Sequence, residues 1–355
     1  MNVDFHSREV LEACSDRTRF NTSRQSTLSS FPAIDDRGKI VKAPTFLVAS
    51  MRSGTTLLRL MLDHHPELAF FHEFHYSVEA LPSDGWPNMR DYLDFLMDHR
   101  IFLDSRLAID TTLDYPALMN SFLIQKQERD GKTHVGATVH LHFDRLSRIW
   151  PDARFIHLVR DGRDVGRSRM DLGWAGNIYT GVQSWIDAER LWDRVKGMVP
   201  EDRRIEVRYE HLIREPIAQL ERICDFLGLD YDPAMLGYHR HTTYQTPDIG
   251  LIDQWRTKLS RNEIRLAESR IGELLVDRGY ELSGYEPTKV GPLRKRFLLA
   301  DDRYQRIRAR WRGQGTSLLA AQYSMRALEP AYQSLSRFRG RVIDRLNNLE
   351  RSTLK

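Results

Sequence analysis

The string Arg52-Ser53-Gly54-Thr55-Thr56 has the residue types to bind an anion. It follows an apolar run, Thr45-Phe46-Leu47-Val48-Ala49. After it, Leu57, Leu58, Met61 and Leu62 recur at helical spacing up to Pro66. This order predicts a buried strand, a tight loop and a helix. Such a loop aims free backbone N–H groups and the positive end of a helix dipole at one point, which suits a phosphate. Gly54 lets the backbone approach the anion without a Cβ in the way. The hydroxyls of Thr55 and Thr56 can donate to its oxygens, and Arg52 adds a permanent charge and a bidentate fork. The nucleoside-triphosphate form of the loop is G-x-x-x-x-G-K-[ST]. Here Ala49 replaces its first Gly and Thr55 its Lys, which argues against transfer of a γ-phosphoryl group.

A second anion site is predicted at Pro151–Trp174, PDARFIHLVRDGRDVGRSRMDLGW. Arg160 ends an apolar strand, and Ser168 lies in the helix after it. Ligands collect at the carboxyl edge of a parallel sheet, where an Arg and a Ser can converge on a phosphate. Asp161 and Arg163 read as a local ion pair that shapes the turn. One phosphate loop alone fits many nucleotide binders. Two on separate strands fit a nucleotide phosphorylated at both its 3′ and 5′ positions.

The segment Pro44–Pro66, PTFLVASMRSGTTLLRLMLDHHP, resembles the phosphosulfate loop of sulfotransferases that use 3′-phosphoadenosine 5′-phosphosulfate (PAPS). Its Arg-for-Lys form and trailing His-Pro are most similar to tyrosylprotein sulfotransferases and related bacterial enzymes. The resemblance implies that Arg52, Ser53, Gly54, Thr55 and Thr56 hold the 5′-phosphosulfate. Arg160 and Ser168 would hold the 3′-phosphate, and Tyr209 would contact the adenosine or its phosphates. Trp255, with Arg256 and Lys258, resembles the late tryptophan block that covers the nucleotide. Gln254 stands where tyrosylprotein sulfotransferases carry Lys, so their late donor contacts do not transfer directly.

Sulfuryl transfer needs a base for the acceptor hydroxyl and cations for the departing bisphosphate. Arg52 suits the second task, and no metal is expected. For the base, Glu73 in Phe70-Phe71-His72-Glu73-Phe74 matches, without a gap from Arg52, the catalytic Glu of tyrosylprotein sulfotransferases, and its aromatic neighbours could shield it from water. His140 in Thr138-Val139-His140 is the alternative, by resemblance to cytosolic sulfotransferases, although Ala137 leaves it without their nearby Lys. Glu73 is favoured. His72, His75 and His142 read as structural or acceptor-facing.

These residues need a frame that brings strand ends together. Strands at 45–49, 154–159 and 204–208 alternate with helices beginning near Thr55, Arg163, Pro216 and Ser260, the last with Ser260 and Glu263 spaced as a capping box. The fold expected is α/β: a P-loop-like three-layer fold with a mostly parallel central sheet and a helical basic C-terminal extension. Residues 1–43 form a leader, 44–285 the catalytic domain and 286–355 the extension. Residues 74–135 are expected to contribute to the acceptor pocket.

The charge is divided. Residues 286–355 hold 16 Lys and Arg against 6 Asp and Glu, while the first 285 residues hold 37 against 43. The basic part suits solvated helices, a membrane-surface helix with Tyr304, Ile307 and Trp311 at helical spacing, or recruitment of an acidic acceptor. No apolar stretch is long enough to cross a bilayer. Two distant cysteines and the lack of a signal-peptide pattern suit a cytoplasmic setting. The function expected is transfer of the sulfuryl group of PAPS to a hydroxyl of a sugar, lipid, phenol or tyrosine, leaving adenosine 3′,5′-bisphosphate. A P-loop kinase or NTPase and an inactive nucleotide-binding scaffold are the alternatives. No specific nucleic acid is expected.

Overall fold

The computed structural model describes residues 41–240 and 242–314. The leader up to residue 40, residues 315–355 and the side chain of Trp311 lie outside the described residues. Five strands, β1 (Thr45–Val48), β2 (Leu68–Phe71), β3 (His134–Val139), β4 (Arg154–Val159) and β5 (Arg204–Arg208), form one sheet in the order β2-β3-β1-β4-β5. Every pairing is parallel.

The main helices are α1 (Thr55–Asp63), α2 (Tyr115–Asp130), α3 (Gly162–Asp171), α4 (Gln183–Met198), α5 (Pro216–Leu227), α6 (Arg261–Asp277) and α7 (Pro292–Gln314). A strand buried on both faces reads as a continuous apolar run, and β1 does so. Phe46 and Val48 enter a core with α2 and α4. Leu47 and Ala49 enter the opposite core with α1 and α5. The result is three layers. A third cluster, with Val165, Trp185, Trp255 and Ile271, joins α3, α4 and α6.

The local signals for α5 and α6 act as their chemistry dictates. Pro216 opens α5, and Gly228 closes it at φ 72°. Ser260 and Glu263 make both bonds of the capping box of α6.

Strand β3 was not expected from the sequence, because Gly136 interrupts it. The glycine is there for packing. A Cβ at 136 would lie 2.3 Å from the Phe70 ring and 2.6 Å from the Thr45 carbonyl oxygen, so only glycine lets β3 lie between β1 and β2 at this register.

β1 is the switch point of the sheet. Its neighbours β3 and β4 lie on opposite sides, so the loops leaving their carboxyl ends diverge and open a crevice there. Arg52 follows β1, Glu73 follows β2, His140 follows β3, Arg160 follows β4 and Tyr209 follows β5. Each strand delivers one candidate residue to the same edge.

Candidate functional site

The loop after β1 is built around two left-handed residues, Arg52 at φ 76° and Gly54 at φ 95°. A non-glycine residue held there is strained, and the surrounding structure must over-determine it. α1 then starts with no side-chain cap and no acidic residue in its first turn. Its first N–H groups and its dipole are therefore left for an anion. The hydroxyl oxygen of Ser53 is buried and has no hydrogen-bond partner among the described residues. Gly54 is required by contact as well as by φ. A Cβ on it would lie 2.4 Å from two Tyr209 ring carbons.

The second predicted anion site meets the first. The Arg52 Nε donates to Ser168 Oγ at 3.1 Å. Arg160 Nη1 donates to the Arg52 carbonyl at 3.3 Å and Nη2 to the Leu251 carbonyl at 2.6 Å. Its guanidinium lies 4.3 Å from the centre of the Tyr209 ring, and its buried Nε has no partner among the described residues. Trp185 Nε1 pins the Arg160 backbone by donating to its carbonyl at 2.9 Å. Arg52, Ser168, Arg160, Tyr209 and Gly54 thus form one connected cluster.

Asp164 and Arg167 belong to this cluster, although sequence reading did not single them out. Asp164 lies 3.8 Å from Arg160 Nη2 and 3.8 Å from Arg167 Nε. Burial pushes its carboxyl up to about 6, against the pull of Arg160. The signal was present in the spacing, since Asp164 is four residues after Arg160 and three before Arg167 on a predicted helix. Gln254, the departure from the tyrosylprotein pattern, accepts from Arg167 Nη2 at 2.6 Å. The Leu251 carbonyl, a backbone group, leaves no sequence trace. Trp174, to which no role was given, places its half-exposed ring 6.0 Å from the Arg52 guanidinium.

Trp255 is a core residue that positions the segment over α3. Its backbone N–H donates to Asp164 Oδ1 at 2.7 Å. Its ring is buried, with the guanidinium carbons of Arg163 and Arg256 at 3.5 and 4.4 Å from the ring centre. Asp161 and Arg163 form the expected ion pair, at 2.6 Å, and Arg163 also reaches Glu268 at 2.6 Å.

The two base candidates sit at the ends of β2 and β3. Glu73 is half-buried and carries no hydrogen bond or ion pair among the described residues. Its aromatic neighbours do not cover it. Phe71 and Phe74 turn into the core and stack at 5.3 Å. The carboxylate is near enough to His140, His75 and Arg59 to act on them electrostatically. His140 is buried, and its Nδ1–H donates to the Ala49 carbonyl at 2.9 Å. That bond leaves the lone pair on Nε2. Burial lowers its pKa, although the Ala49 contact and Glu73 oppose the shift, so the ring stays neutral near pH 7.

His75, Glu79 and His99 bring their donor atoms within 4.8 Å of one another, a grouping the sequence did not show. His99 Nδ1 accepts the Phe102 N–H. Its proton is therefore on Nε2, which faces Glu79 Oε2 at 3.3 Å as a hydrogen-bond donor. The segment 74–135 expected at the acceptor pocket contributes several aromatic side chains to the core. Tyr76, Tyr92 and Tyr115 are fully buried, and two of their hydroxyls donate to the Tyr76 and Ser77 carbonyls.

The profile of the Sulfotransferase family matches residues 44–233, which include all of these strand ends. The chain belongs to the sulfotransferase family. This sulfotransferase is 26% identical over 253 residues to the omega-hydroxy-beta-dihydromenaquinone-9 sulfotransferase Stf3 of Mycobacterium bovis, covering 64% of this chain and 61% of that one. It therefore spans about three-fifths of that relative's length. It is 27% identical over 207 residues to protein-tyrosine sulfotransferase 2 of Gallus gallus, covering 54% of this chain and 52% of the relative. Its fold is similar to a sulfotransferase domain from the curacin biosynthetic pathway, with TM-score 0.51 and 19% identity over 69% of this chain and 100% of that one. No described helix of this sulfotransferase is long and apolar enough to cross a membrane.

Proposed function

We propose that this sulfotransferase moves the sulfuryl group of PAPS to an acceptor hydroxyl and releases adenosine 3′,5′-bisphosphate. One observation carries the proposal: the linked cluster Arg52–Ser168–Arg160 at the switch point of the sheet. Among the described residues, two arginines there have no carboxylate closer than 3.8 Å, and the Ser53 hydroxyl and Arg160 Nε have no partner. Such orphaned buried donors fit a ligand carrying two anionic groups.

When bound, the donor supplies an activated sulfur with a good leaving group. The chain must do the rest. Arg52, Ser53, Gly54, Thr55, Thr56 and the first turn of α1 hold the 5′ end and stabilise charge on the departing phosphate oxygen. Arg160 and Ser168 hold the 3′-phosphate, and Tyr209 fixes Arg160 and roofs Gly54. Glu73 takes the proton of the acceptor hydroxyl. As that proton leaves, the acceptor oxygen bonds to sulfur and the bond from sulfur to the phosphate oxygen breaks. A second assignment of the base has its own support, the tautomer of His140 that the Ala49 carbonyl fixes with Nε2 unprotonated. The acceptor class is a sugar, lipid, phenol or tyrosine hydroxyl.

Labelled PAPS with a panel of phenols, sugars, glycolipids and tyrosine peptides tests the activity. Glu73→Gln should cut turnover by roughly 10²–10⁴-fold, with calorimetric affinity for adenosine 3′,5′-bisphosphate unchanged. If His140→Gln alone produces that loss, the base is His140. If no acceptor is labelled and the bisphosphate binds no better than adenosine 5′-monophosphate, the proposal fails.

A further inference from the structure

We propose that the outward face of α7 docks on an anionic membrane surface. Two faces of this helix, about 150° apart at 100° per residue, have opposite characters. The inward face holds Leu298 and Asp302, both buried. Asp302 Oδ1 accepts from the Gly176 N–H and from Thr180 Oγ1, each at 2.6 Å. The amide of Asn177 donates to the Leu298 carbonyl at 2.8 Å and to Asp301 Oδ2 at 2.9 Å. Gly173 and Gly176 let this loop lie flush on the helix. A Cβ at 176 would meet the Asp302 carbonyl oxygen at 2.5 Å, and one at 173 the Ala309 Cβ at 2.7 Å. The helix is therefore seated on the body, and its outward face has a fixed direction.

That outward face carries Leu293, Phe297 and Tyr304 along one line, at positions i, i+4 and i+11. They are 81%, 69% and 62% exposed. Side chains this apolar are not left so open by packing constraints alone, since the same helix buries Leu298. Arg296 and Arg303 flank the line on one side and Arg294 and Arg308 on the other, all exposed. The only acids of the helix, Asp301 and Asp302, are spent on Asn177, Gly176, Thr180 and Arg306. An apolar stripe between two rows of arginines with no free acid is complementary to a lipid surface with anionic headgroups. The rings and Leu293 enter the acyl boundary while the guanidinium groups reach the phosphates. A protein partner with an apolar ridge would not call for arginines on both flanks. This inference does not depend on which acceptor is used.

The stripe differs from the one expected from sequence, which paired Tyr304 with Ile307 and Trp311. It begins about three turns earlier, at Leu293, and Ile307 is only half-exposed. The loop under α7 also carries Trp174, whose ring centre lies 6.0 Å from the Arg52 guanidinium, so the docking helix and the anion loop share one support.

The test is co-sedimentation of the full chain with vesicles of phosphatidylcholine, with or without about one-third phosphatidylglycerol. Native protein should pellet with the anionic vesicles, less so at high salt. The Leu293→Glu/Phe297→Glu variant should lose roughly tenfold or more in vesicle affinity. Its calorimetric binding of adenosine 3′,5′-bisphosphate should not change, which reports separately on the fold and on the donor assignment. Arg294→Gln/Arg296→Gln/Arg303→Gln/Arg308→Gln should remove the preference for anionic lipid. Absence of vesicle binding, equal binding to both vesicle types, or an unaffected double-Glu variant overturns the proposal. So does a dimer, seen by ultracentrifugation without vesicle binding, that the double-Glu variant dissociates.

Discussion

Arg160 and Arg163 stand three residues apart, and the fold treats them in opposite ways. Arg163 is fully buried and donates to both oxygens of Asp161, to Glu268 and to the Glu281 carbonyl. Its charge is cancelled by two carboxylates at 2.6 Å. Arg160 donates to two backbone carbonyls, leaves its Nε without a partner, and has its nearest carboxylate at 3.8 Å. That carboxylate, Asp164, is itself made easier to protonate by burial. A neutralised, saturated guanidinium holds a fold together. One restrained by carbonyls and an aromatic face keeps its positive potential for a ligand. Within a single turn of chain, the difference between scaffold and site is the count of carboxylates.

The comparison breaks most visibly if both arginines are removed separately. Arg163→Met strands Asp161 and Glu268 in the interior, and removing one partner of a buried ion pair costs about 3–5 kcal/mol. Its denaturant midpoint should fall accordingly. Arg160→Met strands no buried carboxylate in the same way, because Asp164 keeps Arg167 and the Trp255 N–H. It should fold within about 1 kcal/mol of native yet lose about 2–3 kcal/mol of bisphosphate affinity, the worth of one or two charged hydrogen bonds. Equal destabilisation by the two variants would erase the distinction.

A pair of glycines sharpens it on a smaller scale. Gly54 and Gly228 both have left-handed φ, at 95° and 72°. Around Gly228 there is open space, whereas Tyr209 occupies the place of a Cβ at Gly54. Gly228→Ala should cost about 1 kcal/mol of stability, from backbone strain alone. Gly54→Ala adds displacement of Tyr209 and, with it, loss of the contact that fixes Arg160. Its effect should therefore appear as weakened bisphosphate binding in titration calorimetry. Tyr209→Ala should weaken binding by itself, and adding Gly54→Ala to it should then cost less than in the native background. Full additivity would mean that the ring and the loop do not communicate.

The short strings proposed for the site, and the α/β frame in outline, were both legible in the sequence. Arg52 to Thr56, Arg160 and Ser168 stood out because a site of the proposed kind packs glycine, hydroxyls and arginine into short local strings, and the structure brings Arg52, Ser168 and Arg160 together. The helices closed by Gly228 and capped by Ser260 were legible for the same reason. Strand β3 was hidden because its glycine serves a contact with Phe70 and Thr45, residues distant in sequence. The long helix α4 was hidden too. Its buried Trp185 and Trp192 look like isolated aromatics until the sheet provides their partners. Phe74 and Tyr76 are core, and the sequence alone leaves core packing and ligand stacking equally open for them, since which way a side chain turns from a strand end is decided by the helices packed there. Trp255 likewise turned out to be packed between two arginines, which no spacing in the sequence reveals.

The smallest expected effect extends the same contrast to two buried histidines. His157, on β4, is stacked on Trp192 with ring centres 4.5 Å apart and lies 3.3 Å from Glu189 and 3.8 Å from Glu206. Burial opposes its charge, but the two carboxylates outweigh burial and raise its pKa above the ordinary 6.5. His140 is buried to a similar degree with only Glu73 and the Ala49 carbonyl to favour the proton, and its pKa is lowered. The signs of their linkage to stability are opposite. His157 binds its proton more tightly folded than unfolded, so its contribution is complete below pH 6.5 and is lost as pH rises through its raised folded value. His140 binds its proton less tightly when folded, so its contribution is complete above pH 6.5 and is lost as pH falls from there through its lowered folded value. Melting temperature measured from pH 5 to 9 should therefore decline on both sides. His157→Gln should flatten the alkaline decline and leave the acid one. His140→Gln should flatten the acid decline and leave the alkaline one. If both variants flatten the same limb, the carboxylates at His157 do not set its charge, and the division between a saturated scaffold and an open site fails at the histidines.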